Sequence, residues 1–130
     1  MVANQRRTEV ELPSRLSDWS AEDLIEKAKR VAKKLAEARE TVDTQLRRVF
    51  DTVRKVELDF EREKKFSRDE VLLIKPRLAY AVARENKLQP LFPWLDKAID
   101  RVVDEKDFQK LTKFVEAVLA YYKFQKEVRR

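Results

Sequence analysis

Not one of the 130 residues is glycine, and that absence narrows the folds open to the chain more than any motif does. Two-residue hairpins, nucleotide-cradling loops and close backbone approaches call for positive φ, which glycine reaches without steric cost. A chain that lacks it and is rich in Ala, Leu, Glu, Lys and Arg has helix formers at most positions. The fold class is therefore all-α. Hydrophobic residues make up 43% of the chain, enough for one core, and the length suits one domain.

Apolar periodicity divides the chain further. Residues 1–18 show no helical period and contain Pro13, so they read as a flexible or loosely docked arm. Residues 19–130 read as a single bundle of about five helices. Ser20 with Asp23 marks an N-cap, and Leu24, Ala28, Val31, Leu35 and Ala38 place a first amphipathic helix over about 21–39. Leu46, Val49, Phe50, Val53 and Phe60 give the stripe of a second helix, ending near Lys65. Ser67 with Glu70 is a capping box that opens a third. Its runs Val71–Ile74 and Leu78–Ala83 are apolar on every side, which marks it as the central element, kinked or broken at Pro76. After a loop punctuated by Pro90 and Pro93, Leu95, Ala98, Ile99, Val102 and Val103 form a short fourth helix. A last helix over about 105–127 carries two apolar stripes, Phe108 to Tyr122 and Phe114 to Phe124, the second a candidate for subunit contact.

Histidine and cysteine are also absent, which excludes disulfides and Cys/His zinc sites and removes the commonest acid–base and nucleophilic side chains. Asp96, Asp100 and Asp104, spaced by four, are the best case for a carboxylate metal centre. Pairing with Lys97 and Arg101 explains them more simply, so no catalytic residue, metal or cofactor is assigned. No apolar run approaches a membrane span, and the first fifteen residues lack the apolar stretch of a signal peptide. The expected location is cytoplasmic.

The net charge of +6 is uneven. Residues 44–84 hold eleven Lys and Arg against seven Asp and Glu, and residues 105–130 hold seven against four. Packed side by side, two such segments attract a polyanion. On the second helix Arg48, Lys55 and Arg62 align at heptad spacing, as do Arg47 and Arg54. Guanidinium groups suit phosphate contact, although Asp51, Glu57, Asp59 and Glu61 could equally make this a solvated, ion-paired face. Lys75, Arg77 and Arg84 flank the apolar third helix, with Glu70 and Glu85 as alternative partners. The basic ending at Lys123, Lys126, Arg129 and Arg130 is explained by the helix dipole. Tyr80, Tyr121, Tyr122, Trp19 and Trp94 read as core or subunit contacts in preference to base-stacking platforms.

Three stretches carry a resemblance. Leu72-Leu-Ile-Lys-Pro-Arg-Leu-Ala-Tyr-Ala-Val-Ala-Arg84, Thr44-Gln-Leu-Arg-Arg-Val-Phe-Asp51 and Phe114-Val-Glu-Ala-Val-Leu-Ala-Tyr-Tyr-Lys123 resemble, in order and spacing, the small subunit of type III-A CRISPR effector complexes. The chain departs at Val82-Ala83, where that family often has Ala-Gly, and its first 40 residues carry no recognised motif. The resemblance implies a non-catalytic helical protein, present in several copies along guide and target RNA, touching other subunits and its own copies. Self-association would be head to tail in the complex, or a dimer in isolation. Contact with the RNA backbone would fall to Arg47, Arg48, Arg54, Lys55, Lys75, Arg77, Arg84 and Lys123. The alternative is a helical protein–protein adaptor with no role in RNA binding.

Overall fold

A computed structural model describes residues 10–129. A single 3-10 turn, Leu16–Asp18, precedes α1 (Ala21–Ala36) and α2 (Asp43–Glu63). Then come α3 (Arg68–Leu72), α4 (Ile74–Arg84), a second 3-10 segment (Asn86–Leu91), α5 (Phe92–Asp100) and α6 (Glu105–Arg129). No strand occurs among the described residues. These are the five expected helices, with the third in two pieces.

The caps act as the sequence requires. The Ser20 hydroxyl accepts the Asp23 N–H at 3.1 Å, and the Ser67 hydroxyl accepts the Glu70 N–H at 3.3 Å. Each satisfies one of the N–H groups that a helix start leaves without a partner. The interruption of the third helix falls at Leu73 and not at Pro76. The geometry of proline explains the offset. An unbroken helix would drive the Pro76 ring against the carbonyl of Leu72, four residues back. Ending α3 at Leu72 relieves that clash and leaves Pro76 in the first turn of α4, where no intrahelical N–H bond is needed.

The central element also differs from the expectation. Along α4 the buried residues are Ile74, Leu78 and Val82, one face of the helix, and Tyr80 is 64% exposed. The most deeply buried helix is α6, in which Phe108, Leu111, Phe114, Val115, Val118 and Tyr122 are wholly enclosed. It packs against α1, α2, α5 and the Leu16–Asp18 turn, so it needs apolar residues on more than one side. Phe114 sits between two tryptophans, its ring centroid 5.0 Å from Trp19 and 5.9 Å from Trp94. Phe108 meets Phe60 edge-on at 5.4 Å, joining α6 to α2. Each such buried side chain contributes about 1.5–3 kcal/mol relative to exposure.

Residues 1–9 of the expected arm lie outside the described residues; the remainder packs on the bundle. Leu16 is fully buried. Arg15 donates to Asp107 at 2.9 Å and to Asp104 at 2.7 Å, and Arg101 donates to the carbonyls of Leu12 and Pro13. Asp107, itself wholly enclosed, also accepts the backbone N–H groups of Ser17 and Val103, both at 2.8 Å. This knot fastens the chain entry to the start of α6.

Candidate nucleic-acid interface

The basic stripe of α2 divides into two halves. In its C-terminal half, Lys55 and Arg62 share Asp59, at 3.5 and 3.0 Å, and Arg54 is bound to the buried Glu57. Each of those cations lies within ion-pair distance of a carboxylate on its own helix. In its N-terminal half, Arg47 and Arg48 are exposed and have no ion-pair partner among the described residues.

On α4 the division repeats. Lys75 reaches Asp100 at 2.7 Å and Asp96 at 3.5 Å, both on α5. The Asp100 hydrogen bond raises its pKa against a smaller opposing effect of burial, which fixes it as a cation holding α4 to α5. Arg77 is exposed and has no acidic partner among the described residues. Arg84 lies over the Tyr80 ring, its guanidinium carbon 5.7 Å from the centroid, and donates to the phenol oxygen at 3.3 Å. Lys123 is exposed near the end of α6, again without an ion pair among the described residues.

Packing of α2 on α4 brings part of this set together. A shallow groove between the two helices is lined by Arg48, Val49 and Thr52 from α2 and by Ile74, Arg77, Leu78 and Ala81 from α4. Its floor is mostly apolar, with one arginine contributed by each helix. Ile74 and Leu78 face the core, and the side chain three residues after each emerges beside it, which is why Arg77 and Ala81 line the groove. Arg77 also occupies the first turn of α4, where the helix dipole disfavours a cation and no acidic residue offsets it.

The three aspartates considered for a metal are all bound by cations, Asp96 and Asp100 by Lys75 and Asp104 by Arg15. Among the described residues no three carboxylates converge on a point where a metal ion could sit. A second groove, between α2 and α6, is lined by Phe50, Arg54, Glu57, Gln109, Thr112, Lys113 and Glu116 and mixes both signs of charge. No described helix is long and apolar enough to cross a membrane.

Tyr80 departs from the core position that the helical spacing of the aromatic residues allows. Of the two expectations for it, core or subunit contact, the first fails: it projects from the face opposite Leu78, beside Arg84. A two-residue step from a buried position is about 200° around a helix, and that spacing was the available signal.

No curated protein sequence and no solved structure matches the chain. A family model described as Csm2 Type III-A matches residues 18–128, nearly the whole of the folded region and all three stretches on which the resemblance rests. The chain belongs to the Csm2 Type III-A family, the small subunit of type III-A CRISPR effector complexes.

Proposed function

We propose that this subunit is non-catalytic and holds guide and target RNA by the sugar–phosphate backbone without reading sequence. It acts as one of several copies stacked head to tail beside the other subunits. The observation that carries the reading is the convergence of Arg48 and Arg77, from separate helices, on one groove with no carboxylate to neutralise them among the described residues. Arg84 lies next to Arg77 around α4, and Arg47 and Lys123 are further exposed cations available to a phosphate strand. Arg54 and Lys75 belong to the fold, since each is held by carboxylates, and Lys55 contributes charge weakened by Asp59.

Guanidinium groups stay charged and pair with phosphate oxygens through two parallel donors, so they fix a strand's position without regard to base identity. Affinity per copy is low, and adjacent copies on one strand raise it through effective concentration. The test is binding of a short RNA of mixed sequence to the full chain and to R48E/R77E. The proposal expects sequence-independent binding that is weakened in the double variant while it remains folded.

The rival is an adaptor that binds only protein. Phe124 and Val128, 61% and 66% exposed at successive turns near the end of α6, favour a protein contact there. In the proposed reading this contact is with a neighbouring subunit. An adaptor alone would dimerise tightly and leave RNA unbound at physiological salt.

A further inference from the structure

The cationic face carries one side chain that phosphate contact does not explain. Tyr80 is 64% exposed, whereas Tyr122 is wholly enclosed and Tyr121 is partly buried. Ordinary packing does not account for it, because the apolar stripe of α4 runs through Ile74, Leu78 and Val82 on the other side. Around the helix axis Ala81, Arg77, Arg84 and Tyr80 fall within an arc of about 100°. The ring therefore stands on the exposed flank of α4 beside Arg84, about 60° around the helix from Arg77, which lines the groove.

Its neighbour is informative too. The Arg84 guanidinium lies over the ring and also donates to the phenol oxygen, so one side chain holds the ring at two points. A held aromatic loses less freedom on binding a flat partner than a free one does. A phosphate track, an apolar groove floor and a presented ring are the elements with which proteins hold unpaired strands.

We infer that Tyr80 is a stacking platform for an unpaired nucleobase, so that the face prefers single-stranded RNA to fully paired RNA; this rests on the RNA-binding reading above. A base inside a duplex has both faces covered by its neighbours and offers nothing to the ring. An unpaired base can lie on it whatever its identity, because every base has a π-face.

The experiment uses the full chain with a single-stranded RNA carrying 2-aminopurine and a blunt RNA duplex of the same length. Y80A is expected to weaken single-strand binding by about tenfold, to leave duplex binding and the salt dependence unchanged, and to abolish the quenching of 2-aminopurine. Y80F keeps the ring and the Arg84 cation–π contact while losing the phenol oxygen, and should retain the quenching and most of the single-strand affinity. Both variants should keep the wild-type melting temperature, since the side chain faces solvent. Equal binding of both RNAs by Y80A and the wild type, or equal weakening of both, overturns the stacking role. If R48E/R77E is still impaired in that case, the backbone reading survives without it. A wild-type chain that binds neither RNA overturns both.

Discussion

The phenol oxygen of Tyr122, wholly enclosed on α6, accepts the backbone N–H of Val42 at 2.9 Å. Val42 caps α2 and supplies no side-chain cap of its own, so this bond ties the start of the basic helix to the central one. Burial raises the Tyr122 pKa, and the neutral phenol is the form the site holds. Tyr122→Phe leaves the Val42 N–H without a partner in the core. The loss should be about 1–2 kcal/mol in chemical denaturation, with RNA affinity of the folded fraction unchanged.

Asp107 should dominate the acid limb of stability. Burial alone would raise its pKa, but the N–H groups of Val103 and Ser17 and the Arg15 guanidinium outweigh that and hold the carboxyl well below the usual carboxylate range. A depressed folded value means that the stabilisation is complete above the unfolded pKa of about 3.9 and is lost as pH falls through the folded one. Asp107→Asn should cost about 3 kcal/mol at neutral pH, because it leaves Arg15 and several N–H groups poorly matched. It should also flatten the dependence of stability on pH below about pH 4, as urea titrations at stepped pH would record.

Lys64 closes α2 in the left-handed conformation, with φ at 56° and ψ at 36°, the one described residue at positive φ. A side chain there crowds the following carbonyl, a cost that glycine avoids. Lys64→Gly should raise stability by about 1 kcal/mol, after allowance for the greater freedom of glycine in the unfolded chain. Thermal melting would register it as a higher midpoint.

Lys75 separates the two kinds of cation. Its pairs with Asp96 and Asp100 join α4 to α5, and it is partly buried. Lys75→Ala should lower stability by about 1 kcal/mol and leave RNA affinity at its wild-type value. A large loss of RNA affinity in a folded Lys75→Ala protein would return this residue to the interface.

Local chemistry made the helices legible. Ser20 and Ser67 announced two helix starts because a hydroxyl before an apolar run has one obvious N–H to accept, and both bonds form. Partner identity was harder to read. Nothing near Lys75 in sequence points to Asp96 and Asp100, which reach it only once α5 packs on α4. Centrality failed for a related reason. Apolar residues all round α4 and α6 look alike locally, but α6 receives α1, α2 and α5, whereas Tyr80 and Leu73 of the third helix region are left in solvent. Of the basic candidates, spacing gave the face of each helix, and the fold alone distinguished Arg48 and Arg77 from Arg54 and Lys75.

The most direct test of the account is the salt dependence of RNA binding for the wild-type chain and R48E/R77E, plotted as log affinity against log salt concentration. Each phosphate contact to a single strand contributes about −0.7 to the slope. The account predicts a steep wild-type slope that becomes shallower by about 1.4 in the double variant, with helical content and melting temperature preserved. An identical slope in a folded double variant would contradict it.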